Sequence, residues 1–449
     1  MYKCSNCNSV QSKWSGKCVN CGEWNTLVEQ QQSLQNLKNK KKKSTQVNSG
    51  AFGVRLLSRE EGSNKRFSSG FSEFDRVLGG GFVSGEVILL TGNPGIGKST
   101  LLLQVVGNLI ENGSRCLYIS SEESFEQINS RGLRVIDVER NKDFNIYTGR
   151  IIEEAIDVAL QSEKYDFVVI DSISTFVSND YDGVFGGIGN IKTVILKILD
   201  YAKTTNTTVL VVGHVNKEGA IAGPKLLEHM VDALIFLEGD SHHDYRMLRS
   251  EKNRFGSSGE IGFFEMEEKG FKEIKNPSEL FVSKLTQGKP GVVVGSAIEG
   301  NRCLFFEVQT LLAPSFPQQV RRIPQGISHN RLVILSAVAS KYLKLKLENF
   351  DIYLSIAGGL KVDDPAIDLS VIMSIYSAKK GVPIAHETLW IGEVGLSGEV
   401  RRIRNIEKRI EEARGLGVTK VYTSILYEKE HKGVEITGLK NITDILSTK

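Results

Sequence analysis

Nine consecutive residues, Gly92, Asn93, Pro94, Gly95, Ile96, Gly97, Lys98, Ser99 and Thr100, meet every fixed position of the G-x-x-x-x-G-K-[ST] pattern. The glycines let backbone N–H groups turn inward on a polyphosphate. Lys98 reaches the β- and γ-phosphates and Ser99 offers its hydroxyl to Mg²⁺, so the chemistry this string predicts is the binding of Mg²⁺-ATP. Hydrolysis also needs a carboxylate near the metal and a group that orients water. Asp171 closes the apolar run Phe167-Val168-Val169-Ile170, at the carboxyl end of a buried strand, where open α/β sheets hold their ligands. A cap of the turn Ser172-Ile173-Ser174 is the other reading of Asp171, and it explains less. Glu122 and Glu123 follow the strand-like Cys116–Ser120, and one of them is expected to orient the water. Two adjacent acids do not point at one phosphate; Glu122 is favoured, which leaves Glu123 as a cap or surface residue. His214, just past the run Thr208–Val212, is placed to sense the γ-phosphate or is simply structural.

Two further groups of residues invite chemistry. In Lys252-Asn253-Arg254-Phe255-Gly256 the two cations are one residue apart, so on an extended strand they share a side and approach one phosphate together. Delivered from a neighbouring subunit, such a charge is an arginine finger; a solvated surface is the alternative. Cys4, Cys7, Cys18 and Cys21 form two C-x-x-C pairs, the spacing of a closed tetrahedral zinc site, with an iron centre as the rival. So short a segment buries no stable core unaided, and the metal is expected to supply its folding energy and to be structural. Cys116 and Cys303 stand alone in apolar surroundings and read as core residues.

The elements that must position these groups follow from hydrophobic periodicity. At 449 residues, two or three domains are expected. The composition is that of a soluble globular chain, without an apolar run long enough for a membrane span and without a secretory signal pattern, and a cytoplasmic location is expected. A net charge of +3 makes no global case for nucleic acid, so any such surface must be local. Residues 1–27 form the cysteine module. Residues 28–65 are rich in Gln, Asn and Lys and read as a linker, although its lysine run also suits phosphate contact. From 66 to 275 short apolar strands alternate with amphipathic helices, the signature of a mostly parallel sheet with crossover helices. Strands are expected at 86–91, 116–120, 167–170, 208–212, 233–238 and 245–250. A second α/β pattern fills 276–449, with a single strand expected at 389–394 and helices at 331–343, 367–378 and 405–414.

The three blocks in this order resemble the bacterial RadA (Sms) DNA-repair family over essentially the whole chain, the Lys252–Gly256 string being the most specific match. The resemblance implies an α/β fold: a RecA-like P-loop NTPase core preceded by a zinc ribbon and followed by a Lon-protease-like domain. It implies a DNA-dependent ATPase of homologous recombination that promotes branch migration and strand-exchange extension as a DnaB-like hexameric ring alongside a recombinase filament. By the same resemblance Lys252 and Arg254 serve hydrolysis across subunits and, with Asn253, Phe255 and Gly256, couple it to single-stranded or branched DNA. The glycine-rich loop 178–190 and the loop 216–227, with Lys217 and Lys225, are then expected to face the strand. In Lon-like proteases a Ser–Lys dyad is catalytic; here Ala366 stands at the serine's position and Glu407 at the lysine's, so no protease activity is expected. Arg401, Arg402, Arg404, Lys408 and Arg409 make either a basic patch suited to duplex DNA or a solvated helix face. A protease and a signalling ATPase of circadian-clock type are the rival functions.

Overall fold

The computed structural model describes residues 2–7, 9–11, 14–29, 66–137, 139–161, 164–184, 187–213, 226–239, 245–283, 286–315 and 320–447. They belong to two compact units, one ending at Ser63 and the other beginning at Asn64. The first unit is a three-stranded antiparallel ribbon, β1 (Tyr2–Cys4), β2 (Val10–Gln11) and β3 (Leu27–Glu29), in the order β2-β1-β3. Among its described residues the only packed cluster is the four cysteines, as expected of a fold too small for an aliphatic core.

The second unit opens with β4 (Arg66–Phe67), α1 (Ser72–Val77) and β5 (Phe82–Val83). Then come β6 (Val87–Gly92), α2 (Lys98–Glu111), β7 (Cys116–Ser120), α3 (Phe125–Val135), β8 (Asn145–Thr148), α4 (Ile152–Gln161) and β9 (Phe167–Asp171). They are followed by α5 (Ile188–Thr205), β10 (Thr208–Val212), α6 (Leu226–Met230), β11 (Ala233–Glu238), β12 (Tyr245–Asn253), β13 (Ile261–Glu267) and β14 (Gly270–Glu273). These strands form one sheet in the order β14-β13-β12-β11-β6-β10-β9-β7-β8. From β11 to β8 neighbours are parallel, and β12 to β14 extend the sheet antiparallel. The central strands are buried on both faces, between one core under α2 and another under α4 and α5. That is why they read as unbroken apolar runs rather than alternating ones. Register does the positioning: Ser120 pairs with Asp171 and Leu237 with Gly92, so β6, β7, β9 and β11 deliver their carboxyl ends to one edge.

The remaining elements are α7 (Ser278–Phe281), β15 (Val292–Glu299), β16 (Arg302–Pro314), β17 (Arg322–Gln325), α8 (His329–Leu343), β18 (Phe350–Ile356) and α9 (Asp368–Lys380). After them come β19 (Thr388–Trp390), β20 (Glu393–Val394), β21 (Val400–Arg401), α10 (Ile406–Gly415), β22 (Lys420–Ser424) and β23 (Glu435–Leu439). The strand expected at 389–394 is two strands in two sheets. At Ile391 the backbone still donates to Tyr422, and at Gly392 it turns to donate to Ala366 instead. The two blocks of this unit share a core: Ile261, Phe263 and Phe281 pack with Val293, Leu304 and Phe306. A buried Arg302–Glu73 ion pair and an Arg249–Glu299 contact of 2.8 Å tie them further. Among the described residues no helix is long and apolar enough to cross a membrane.

Candidate nucleotide site and cysteine centre

The loop 92–97 leaves β6 at the strand-end edge and enters α2. A Cβ on Gly92 would lie 2.3 Å from the Leu237 carbonyl, and one on Gly97 2.8 Å from Met266 and Phe271, so the loop's path requires both glycines. Asn93, Pro94 and Gly95 are exposed at the tip, Ile96 is buried beneath it, and Thr100 lies in the first turn of α2. Lys98 Nζ donates to the carbonyls of Gly92 (2.8 Å) and Asn93 (3.1 Å) across the mouth of the loop. Burial lowers its pKa, and the charges of Asp171 and Glu122 pull it back up.

Asp171 is buried, and its Oδ2 accepts from Ser99 Oγ at 2.7 Å and from Tyr118 Oη at 2.6 Å. Burial raises its pKa, and these two donors oppose the rise by favouring the carboxylate. Glu122 Oε1 accepts from Ser172 Oγ at 2.6 Å. Glu123 turns aside to Arg131, which holds it by two bonds of 2.7 and 2.6 Å. The two acids thus face different partners. Lys98, Ser99, Asp171 and Glu122 stand together at one edge of the sheet. Tyr118, Ser172 and Arg131 were missed in the sequence; the signal available was a tyrosine inside the apolar strand 116–120, where a buried hydroxyl needs a partner.

Lys252 and Arg254 do not join this group. Lys252 Nζ donates to the carbonyls of Glu228 (2.7 Å), Val231 (2.8 Å) and His229 (3.3 Å). Arg254 reaches His229 O at 3.1 Å and Asp232 Oδ1 at 3.2 Å. The two cations share a side, as their spacing predicts, but at the other end of the sheet. Arg254 N donates to Asp232 O and Asp232 N to Val87 O, at the first residue of β6, whereas the loop leaves its last. Five residues of strand, roughly 16 Å, separate them. Asn253 Oδ1 caps Phe255 N at 2.9 Å, the Phe255 carbonyl accepts from Arg66, and Gly256 packs against the backbone of Gly79. His214, Lys217 and Lys225 lie outside the described residues, as does Gly186 of the loop 178–190. The base of that loop is pinned by Asn190, which donates to Phe176 O at 2.7 Å and accepts from Ser178 N at 3.2 Å.

In the first unit the four Sγ atoms all lie within 4.8 Å of one another, with Cys4–Cys21 at 3.6 Å and Cys7–Cys18 at 3.7 Å. A tetrahedron with metal–sulfur bonds of about 2.3 Å has edges of about 3.8 Å, so the thiols fit zinc. Hydrogen bonding by Ser9 lowers the pKa of Cys18 and, with a smaller contribution from Asn20, brings that of Cys7 down to about 5.

Known proteins bear on this arrangement. Residues 67–270 match the ATPase family described as KaiC, and residues 2–29 match the rubredoxin metal binding domain. The DNA repair protein RadA of Bacillus subtilis (strain 168) is 40% identical over 450 residues, which covers 100% of this chain and 98% of the relative. The RadA proteins of Streptococcus pyogenes serotype M1 and Rickettsia bellii (strain RML369-C) are 41% and 42% identical, over 99% and 100% of this chain and 98% of each relative. The chain belongs to the RadA family of DNA repair proteins. In this RadA-family chain the likeness to the relatives runs through the C-terminal block as well as the ATPase.

In that block the cations read from the sequence part company. Arg409 is buried and bonded to Ser296 and Asp364, while Arg401 is paired with Glu399 (2.6 Å) and Glu393 (3.2 Å). Of the patch read over 401–409, Arg409 is thus withdrawn into the interior by Asp364 and Arg401 is held by two nearby carboxylates, while Arg402 and Arg404 are exposed. Ala366 is buried in the core, and Glu407 is exposed and paired with Lys429 at 2.6 Å.

Proposed function

We propose that this chain is a Mg²⁺-ATP-driven motor of homologous recombination. It grips single-stranded or branched DNA, assembles as a DnaB-like hexameric ring, and promotes branch migration and strand-exchange extension beside a recombinase filament. The observation that carries the reading is the roughly 16 Å of strand between the P-loop and Arg254 of the same chain. A cation so placed serves hydrolysis only at a neighbour's nucleotide, which calls for a ring.

Within one site the roles divide as follows. Lys98 binds the β- and γ-phosphates. Ser99 and Asp171 present oxygens 2.7 Å apart, hard donors of the kind Mg²⁺ takes, and the ion when bound offsets phosphate charge. Glu122 orients or deprotonates the attacking water, and His214 senses the γ-phosphate. Lys252 and Arg254 of the adjacent subunit stabilise the charge that develops in the transition state. The loops at 178–190 and 216–227, with Lys217 and Lys225, together with Asn253, Phe255 and Gly256, track the DNA backbone. The cysteine centre holds zinc in a structural role. The C-terminal block, whose Ala366 offers no nucleophile, serves assembly and DNA binding rather than proteolysis.

Steady-state ATP hydrolysis with and without single-stranded DNA, over a salt series, tests the reading. Lys98→Ala, which removes a charge the transition state needs, should abolish turnover and serves as the blank. Stimulation by DNA that fades with salt is expected of backbone contacts. A rate indifferent to DNA would sink the motor and favour a signalling ATPase of the matched KaiC type, whose mark would be autophosphorylation on Ser or Thr.

A further inference from the structure

The segments 120–122 and 171–175 are joined by a backbone hydrogen bond and by hydroxyls. Ser121 N donates to Asp171 O at 2.9 Å, Ser121 Oγ donates to Ser172 O at 3.0 Å, and Thr175 Oγ1 donates to the same carbonyl at 3.1 Å. Within this brace the Ser172 side chain is fully buried, with Oγ 2.6 Å from Glu122 Oε1 and 2.8 Å from Ser174 Oγ. A serine hydroxyl has one hydrogen to give. With that hydrogen on the Glu122 carboxylate, Ser174 must be the donor to Ser172, so the bonds run Ser174 to Ser172 to Glu122. Each donor in such a chain polarises the next, and a hydrogen bond to a charged acceptor is among the stronger kinds. Neither serine is needed for the apolar core. Glu122 itself sits just past the end of β7, where a free glutamate has three torsions to wander through.

We propose that Ser172, backed by Ser174, is a positioning residue that holds the Glu122 carboxylate in the one rotamer from which it reaches the attacking water. This rests on the reading of Glu122 as the water-orienting acid. Asp171 and Ser172, adjacent in sequence, then divide the work: one serves the metal and the other aims the acid. A carboxylate displaced by about 1 Å loses much of its effect on the reaction without altering how nucleotide binds.

The test is kinetic and uses the full chain with Mg²⁺-ATP. Ser172→Ala should lower kcat about tenfold or more, with KM for ATP within about twofold of the parent. Ser174→Ala, one bond further back, should lower kcat by a smaller factor, and it carries the same test if Ser172→Ala does not fold. The deciding measurement is the pairing with Glu122→Gln. If the serine acts through the acid, the double variant should be no slower than Glu122→Gln alone, within about twofold. Losses that multiply, an unchanged kcat, or a loss confined to KM would each overturn the proposal while leaving Glu122 in its role. A Glu122→Gln protein with full turnover would overturn the reading of Glu122 and the proposal with it.

Discussion

Tyr118 and Ser99 share one oxygen of Asp171, and this sharing sets the character of the nucleotide edge. Tyr118 is fully buried and spends its only hydroxyl hydrogen on Asp171 at 2.6 Å. If Ser99 and Asp171 hold Mg²⁺ as proposed, Tyr118 would stay on Oδ2 and keep the carboxylate oriented for it. Partners of this kind typically change metal affinity by about ten- to a hundredfold when removed. Tyr118→Phe, which keeps the ring in place, should therefore raise the Mg²⁺ concentration needed for tight binding of a fluorescent ATP analogue by about tenfold. Binding measured without Mg²⁺ should stay unchanged. Equal Mg²⁺ titrations for the two proteins would show that the hydroxyl only satisfies the core.

At the scale of elements, the strand ends opposite the P-loop carry their own electrostatics. Glu86, just before β6, accepts from Val83 N at 2.7 Å. Burial first, and then the nearby Asp232, push its pKa up to about 7. An unfolded chain ionises this carboxyl near its ordinary 4.5, so between those values the folded state holds the extra proton. Stability then falls as pH rises through that window and levels off above about 7, by roughly 3 kcal/mol in all. Glu86→Gln, which can still accept from Val83, should recover most of that loss at pH 8 and little near pH 5, measured as the shift in urea midpoint. A gain of equal size at both pH values would exclude the linkage. The cysteine ribbon makes a separate prediction. Because its described core is the four thiols, chelation or Cys18→Ser should remove the order of the first 29 or so residues and leave the thermal transition of the remainder in place. A globally melted protein would mean that the ribbon supports the ATPase core.

For the whole molecule, the proposed role of Arg254, which lies at the far edge from its own P-loop, requires a neighbouring chain to complete each nucleotide site. Arg254→Ala should lower turnover by about a thousandfold or more, the usual worth of an arginine finger. Mixing it with inactive Lys98→Ala should restore part of the activity, since an intact P-loop then meets an intact cation across a subunit boundary. Restoration growing with the proportion of mixed rings is expected. Mixtures as inactive as their components would place the action of Arg254 within its own chain or on DNA alone.

The glycine-rich loop, Asp171 at the end of its strand, and the paired cysteines were legible in the residues themselves, because their chemistry depends on local spacing and on one strand or turn. So were most strands of the ATPase sheet, whose double-sided burial leaves continuous apolar runs. What the tertiary structure alone decided are relations between residues far apart in the chain. Glu123 is drawn off by Arg131, Tyr118 reaches Asp171, and Ser172 reaches Glu122. Arg409 is buried on Asp364, and Lys252 and Arg254 lie at the edge opposite the P-loop of their own chain. Strand register and helix packing set these partners, and neither leaves a period or a spacing in the chain from which they can be read.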